Sequence, residues 1–188
     1  MLIASTEITN LGANQVQLNW CAAPSLPLPF DADTILAFEG RWAKEFQPVK
    51  VDSFLGGYVR ENRKGHTSHD SFPGMIVHHS NTNESVGACY GFHIGWSGNH
   101  RIRVEKLSDG RSYVQCGELL LPGEITLQPQ QSYTSPNLYA SYSSNGFSSL
   151  SSQYHRYVRQ YLIKPEVKIK PRPIHYNTWE GIYFDHDI

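Results

Sequence analysis

The sequence lacks an apolar run of the about 18 to 20 residues that a membrane-spanning helix needs. It also lacks an excess of either charge, since 16 Lys and Arg residues oppose 17 Asp and Glu residues, for a formal net charge of -1. A near-neutral chain has no bulk electrostatic attraction to nucleic acid or to an acidic membrane surface. We therefore expect neither nucleic acid nor a membrane among the partners of this protein.

Cysteine is scarce, with Cys21, Cys89 and Cys116 as the only three and no C-x-x-C spacing. An odd number without paired spacing argues against a disulfide framework and against a zinc knuckle. Residues 1–7 have no basic region and no sustained apolar core, so they do not resemble a secretory signal. These features predict a reduced, cytoplasmic setting.

Several signatures of chemistry are missing from the sequence. No G-x-S-x-G, P-loop or G-x-G-x-x-G pattern occurs. The only Ser-His-Asp combination is the contiguous 68–70, whereas a hydrolase triad is assembled from separated positions. The sequence therefore predicts no nucleotide site and no serine nucleophile.

Histidine occurs in two small groups, His66 with His69 and His78 with His79. A metal site needs three or four converging ligands, and Pro73-Gly74 separates the two groups. We interpret them as hydrogen-bonded turn residues and predict neither a metal nor a cofactor.

What the chain does have is aromatic side chains, which make up 12% of the residues, together with 15 Gly and 11 Pro. This mixture is typical of short strands joined by many turns. The clearest strand is 88–96, where alternation predicts that Tyr90, Phe92, Ile94 and Trp96 point into one core. Glycines on the other face, such as Gly91, indicate that an element packs close to the backbone there, for example a facing sheet.

Further strands are predicted at 3–8, 16–20, 101–107, 112–116, 124–128 and 137–142. An Asp109-Gly110 step between two of them is a hairpin signal. Turn signals that recur about every ten residues favour an antiparallel β-sandwich over residues 1–143.

The last 45 residues have a different pattern. Apolar residues at helical spacing predict one amphipathic helix over 147–162, and a proline-rich linker follows it. We assign residues 144–172 to this helix and linker. Residues 173–188 read as a strand and a polar loop, and a helix followed by a buried strand is how an α/β layer begins. We therefore expect the chain to be a fragment of a longer protein.

Four stretches, 63–74, 90–101, 117–124 and 177–185, together resemble glycoside hydrolase family 36, chiefly microbial α-galactosidases. They occur in the order of the family, whose members have an N-terminal β-sandwich, a (β/α)8 barrel and a small C-terminal β domain. The resemblance implies that this chain is mainly β: the latter part of the sandwich, a connecting helix and the first strand of a truncated barrel.

The resemblance also implies a retaining mechanism with one aspartate as nucleophile and another as general acid/base. Both would lie on later barrel strands, so no catalytic residue is assigned here. Asp185 and Asp187 are two acids near the terminus and do not fill that role. We expect the chain alone to be inactive.

Two tryptophans are the predicted substrate-binding residues. By resemblance, Trp179 matches the tryptophan at the end of the first barrel strand that packs against galactose, and barrel active sites lie at the C-terminal ends of strands. Trp42 matches a sandwich-domain tryptophan that borders the active-site mouth. Its charged neighbours fit a ring for stacking a sugar or a base and fit a satellite core residue equally well.

The function predicted by the resemblance is hydrolysis of terminal α-linked galactose in oligosaccharides such as melibiose and raffinose. The parent protein is expected to be a homo-oligomer, a tetramer by the same resemblance. The alternative is a stand-alone carbohydrate-binding or scaffold β-sandwich domain without catalytic activity.

Overall fold

The computed structural model of the chain describes residues 1–52, 55–67, 69–165 and 171–185. Two compact units are distinguished, residues 1–155 and residues 156–188. The first unit contains all fourteen strands of the described residues.

A six-stranded antiparallel sheet forms one layer of the first unit. Its strands, in chain order, are β1 (Leu2–Ala4), β5 (Thr34–Arg41), β6 (Lys44–Asp52), β8 (Gly74–His78), β9 (Cys89–Ile94) and β14 (Leu138–Ser143). Their spatial order is β1-β14-β9-β8-β5-β6. The short β1 and the long β6 are therefore the edges.

A four-stranded antiparallel sheet forms the second layer. Its strands are β4 (Leu26–Leu28), β7 (Gly56–Asn62), β10 (His100–Lys106) and β11 (Ser112–Glu118). Their spatial order is β4-β11-β10-β7. Strands β10 and β11 form the predicted hairpin at Asp109-Gly110, where Gly110 has a φ of 87°.

Two further strand pairs form separate two-stranded antiparallel sheets. They are β3 (Val16–Leu18) with β12 (Ile125–Leu127), and β2 (Glu7–Thr9) with β13 (Ser132–Thr134). Together with β1 and β14, these pairs are nested, because the earlier a strand lies near the N-terminus, the later its partner lies between residues 125 and 143. The antiparallel β-sandwich predicted from the sequence is thus confirmed.

The core lies between the two sheets. Alternate residues of each strand point inward, as the pleat requires. From the larger sheet, Ile35, Val77 and Ile94 are fully buried, and Ile102 and Val114 oppose them from the smaller sheet. Burial of side chains of this size contributes about 1.5–3 kcal/mol each.

Strand β9 follows the predicted alternation only in part. Phe92 and Ile94 belong to the core, and Tyr90 packs against it. The prediction for Trp96 is wrong, because the strand ends at Ile94 and Trp96 is 39% exposed. Its indole instead covers Gly98, where an added Cβ would lie 2.7 Å from the indole nitrogen.

The predicted helix is present as α1 (Gly146–Tyr157), which continues as a π-helical turn, Val158–Leu162. Helix α1 is the element that packs on the glycine face of β9. A Cβ on Gly91 would lie 2.9 Å from Tyr154 and 3.1 Å from Leu150. The close packing inferred from glycine is therefore correct, but a helix rather than a facing sheet provides it.

The strand expected after Pro173 is not formed. Residues 171–178 have no regular structure, and a short helix, α2 (Trp179–Ile182), follows. A strand exists through backbone hydrogen bonds to a neighbour, and the described residues of the second unit provide no neighbouring strand. The boundary at residue 143 stays a prediction, and linker residues 166–170 lie outside the described ranges.

Among the described residues, no helix is both long enough and apolar enough to cross a bilayer.

Candidate functional site

Trp42 lies at the tip of the hairpin formed by β5 and β6. Arg41 pairs with Lys44, so Trp42 and Ala43 alone form the turn. Ala43 has a left-handed φ of 62°, and its N–H donates to the Glu45 carboxylate at 2.8 Å. Trp42 is 74% exposed. The satellite-core interpretation is therefore wrong, and the indole is accessible to a ligand.

Aromatic rings pack close to the turn of this hairpin. Phe38 stacks on Phe46 with 4.3 Å between ring centroids, and the edge of Phe72 meets both rings at 5.6 and 4.9 Å. Phe46 has a φ of 55° where the strand register shifts. Such a bulge bends and twists a hairpin, so it sets the direction in which Trp42 projects.

Gly40 brings this hairpin against the 63–74 stretch. A Cβ at this position would lie 2.6 Å from the Lys44 carbonyl oxygen and 2.9 Å from the His69 carbonyl oxygen. Because these neighbours are backbone atoms, a larger residue would displace one of the two segments. Glycine therefore permits the close approach.

Two loops next to the hairpin are joined by hydrogen bonds. The Gly65 N–H donates to the Asn99 side-chain oxygen at 2.8 Å. The Asn62 amide donates to the carbonyl oxygens of His66 and Gly98, at 2.8 and 3.3 Å. The fold thus places the stretches 63–74 and 90–101, which carry much of the family resemblance, side by side.

The Ser-His-Asp sequence shows no sign of a catalytic arrangement in the residues that can be described. Ser68 lies outside the described ranges. His69 is exposed, and Asp70 forms an ion pair with Lys64. This arrangement fits the predicted turn.

The histidines are held in separate environments. Burial lowers the pKa of His93 and of His100, and the His100 Nδ1 lies 3.2 Å from the Gly98 carbonyl oxygen. His79 faces Asp31 at 3.2 Å. Among the described residues, no three His, Cys, Asp or Glu side chains form a group able to hold a metal ion.

The three cysteines are buried and free. Burial raises the pKa of the Cys89 thiol to about 11 and that of Cys116 to about 12. A thiol is a nucleophile only as its thiolate, so neither side chain is poised for catalysis.

Trp179 begins helix α2 in the second unit. Its backbone N–H donates to the Asn177 side-chain oxygen at 2.9 Å. The edges of Tyr183 and Phe184 meet its ring at 5.5 and 5.4 Å. Trp179 is 53% exposed, so part of the indole remains available for contact with a ligand.

The terminal acids form no described pair. The Asp185 N–H donates to the Ile182 carbonyl oxygen at 2.8 Å, as part of the turn that ends α2. Asp187 lies outside the described residues. The two predicted substrate-binding tryptophans belong to different compact units.

Arg60 is a candidate functional residue that sequence reasoning missed. Its guanidinium forms an ion pair with Glu39 and donates to the Asp70 carbonyl oxygen at 3.1 Å. These partners are 21 and 10 residues away in the sequence. The contacts depend on which strands face each other, so no local pattern indicates them.

Comparison with protein families gives two matches. A model of the glycosyl hydrolase family 36 N-terminal domain matches residues 1–128, and a model described as melibiase matches residues 132–188. Together they cover almost the whole chain.

Curated relatives carry consistent names. An α-galactosidase of Escherichia coli is 45% identical over 181 residues, which is 96% of this chain and 25% of that protein. A probable α-galactosidase G of Emericella nidulans is 33% identical over 188 residues, which is 99% of this chain and 25% of that protein. The chain therefore spans about a quarter of the length of the curated relatives it matches.

Solved structures show the same fold. The galactosidase domain of an α-galactosidase–sucrose kinase matches with a TM-score of 0.87 and 29% identity, over 97% of this chain and 26% of that one. A family 36 α-galactosidase from Geobacillus stearothermophilus, in complex with stachyose, matches with a TM-score of 0.87 and 28% identity over the same shares of the two chains. A structure of that protein in complex with raffinose matches equally well.

Proposed function

Because the chain belongs to glycoside hydrolase family 36, we propose that it is part of a longer retaining α-galactosidase. The substrates proposed are oligosaccharides with a terminal α-linked galactose, such as melibiose and raffinose. The match of the family 36 N-terminal model to residues 1–128 carries this proposal. The Geobacillus stearothermophilus relative in complex with raffinose supports the substrate class.

We propose that this chain contributes to recognition and not to bond cleavage. Glycosidic cleavage uses two carboxyl groups placed on either side of the scissile bond. Within the described residues, carboxylates such as Glu39, Glu61 and Asp70 are held in ion pairs. In this proposal residues 1–143 form the sandwich, 144–172 the connection, and 173–188 the start of the catalytic barrel.

We propose Trp42 and Trp179 as the substrate-contacting residues of this chain. Both rings are more than half exposed, and an indole offers an apolar face to the C–H surface of a sugar and an N–H to a hydroxyl. We also propose that the full-length protein is cytoplasmic and forms a homo-oligomer. Light scattering after size exclusion will measure the number of subunits.

The activity is tested with the full-length protein encoded by the gene that contains this segment. It should hydrolyse p-nitrophenyl α-galactoside with saturation, and the matched β-galactoside should not be hydrolysed. Proton NMR should show that the first galactose released is the α anomer, as retention requires. Binding of raffinose without hydrolysis would favour the stand-alone carbohydrate-binding domain instead.

The substrate contacts are tested by substitution in the same protein. Trp179→Ala should raise KM and lower kcat, because positioning the sugar is shared by the ground and transition states. Trp42→Ala should act mainly on KM, by about fivefold, which corresponds to about 1 kcal/mol.

Phe30→Ala is the matched control, since Phe30 is 71% exposed and has no proposed role in binding. Its kinetic constants should equal those of the wild type. If both tryptophan variants also stay within about twofold of wild type, well under 1 kcal/mol, neither ring contacts substrate.

A further inference from the structure

Arg60 lies on the inner face of strand β7. It pairs across the sheet with Ile102, which is 1% exposed, and residues directly opposite in an antiparallel pair share a face. Its guanidinium forms an ion pair with Glu39 of the facing sheet. The side chain therefore bridges the two layers of the sandwich.

The same guanidinium also holds a loop. Its second terminal nitrogen donates to the Asp70 carbonyl oxygen at 3.1 Å, and the Asp70 carboxylate forms an ion pair with Lys64. Only 27% of the Arg60 side chain is exposed, against 42% for Glu39. A partly enclosed guanidinium that binds two separate acceptors fixes the relative position of the two segments better than an exposed ion pair does.

These contacts lie close to the turn of the hairpin that carries Trp42. Glu39 comes three residues before Trp42, and the intervening Gly40 touches the His69 carbonyl oxygen too closely to admit a side chain. Loss of the Arg60 contacts would free both the hairpin and the loop beside it. Trp42 lies in the two-residue turn that directly follows this part of β5, so a shift of Glu39 and Gly40 moves the indole.

We propose that Arg60 is a positioning residue, which holds the β5–β6 hairpin so that Trp42 meets the oligosaccharide. This role rests on the proposed function, in which Trp42 contacts substrate. Arg60 itself touches no substrate; it acts through Glu39 and through the Asp70 backbone.

The kinetic test uses Arg60→Met and Arg60→Lys in the full-length enzyme with raffinose. Arg60→Met should raise KM to within twofold of the Trp42→Ala value and leave kcat within twofold of wild type. Arg60→Lys should give an intermediate KM, because an ammonium keeps the charge but not two fixed donor directions. The double variant Arg60→Met/Trp42→Ala should match Trp42→Ala alone, since the two changes remove one interaction.

Arg103→Met is the matched control. Arg103 lies on the neighbouring strand β10 and forms an ion pair with Glu105. It lies opposite Val59 in the strand register, and its side chain therefore faces away from the core. Its KM and kcat should equal those of wild type. A double variant whose KM is the product of the single effects would overturn the proposal.

A second measurement reports on Trp42 directly. Incorporation of 5-fluorotryptophan into the full-length enzyme gives a 19F signal for each tryptophan, and Trp42→Phe identifies the signal of Trp42. Arg60→Met should shift or broaden that signal and leave the other tryptophan signals in place, whereas Arg103→Met should change none. An unchanged Trp42 signal in folded Arg60→Met protein would overturn the positioning role. A changed signal in a protein whose Trp42→Ala variant keeps its KM would instead overturn the proposed substrate contact, so the two failures are distinguishable.

Discussion

Two histidines, the half-buried His93 and the fully buried His100, link the stability of the sandwich to pH. Burial lowers the pKa of both imidazoles, and nearby positive charge lowers it further, that of protonated His100 for His93 and that of Arg60 for His100. The unfolded chain, with an ordinary histidine pKa of about 6.5, binds protons more readily than the folded chain just below that pH. Their contribution is therefore complete above pH 6.5 and is lost as the pH falls through the lower folded values.

We predict that the urea midpoint of the chain falls between pH 7 and pH 5. His93→Gln and His100→Gln should each reduce this pH dependence, by up to about 1.4 kcal/mol per pH unit for each proton. His155→Gln, at an exposed position of α1, should leave the dependence unchanged. A slope that persists in the double variant would show that other groups produce it.

Single residues also show how far sequence reasoning reaches. The charged neighbours of Trp42 are local information, and they left two roles open. Exposure excludes the core role and leaves the stacking role as a prediction, and that exposure depends on the tight turn and on the backbone contact at Gly40. Arg60 could not be found from the sequence, because its partners come together only when the two sheets pack.

Helix α1 shows where periodicity works and where it stops. The pattern predicted a helix over 147–162, and the structure has helical turns from Gly146 to Leu162. The apolar stripe does not share one environment, because Leu150 is 1% exposed whereas Tyr161 and Leu162 are 72% and 55% exposed. Spacing identifies a stripe, but it does not say what covers each part.

Leu150→Ala should destabilise the chain by about 2–5 kcal/mol, the range for a buried leucine that leaves a cavity. Leu150 packs on Gly91, where no side chain fills the gap. Ser151→Ala, at the next and exposed position, should change the unfolding free energy by less than about 0.5 kcal/mol. Equal effects of the two substitutions in urea titrations would contradict the packing of α1 on β9.

Strands with clear alternation or turn signals, such as β9, β10 and β14, were predictable. Strands β5 to β8 were not predicted. In β5, Thr34, Ile35 and Leu36 form an unbroken run of buried or half-buried residues, which has no period of two. In β6, residues Lys44–Gln47 are all exposed, so neither face stands out.

The pairing of strands across the whole sandwich lies beyond local patterns. Leu2 pairs with Ala140, Ile8 with Tyr133 and Gln17 with Thr126, so the outer ladders close over more than a hundred residues. Such contacts are selected by the packing of the complete core. The family resemblance predicted this architecture because ordered motifs carry information about a complete fold, which periodicity within a few residues does not.

The expected barrel strand is the clearest failure at this level. Its aromatic pattern was real, but a pattern supplies no hydrogen-bonding neighbour, and the described residues form α2 there. The assignment of Trp179 to substrate therefore rests on the family resemblance.

We propose that this chain holds the recognition part of an α-galactosidase and not its catalytic carboxyl groups. The direct measurement is hydrolysis of p-nitrophenyl α-galactoside by the purified 188-residue chain. The account predicts no release of p-nitrophenol above buffer, under conditions in which the full-length protein turns the substrate over with saturation. Saturable turnover by the chain alone would contradict it, provided that an inactive variant of the full-length protein, purified in the same way, shows no activity.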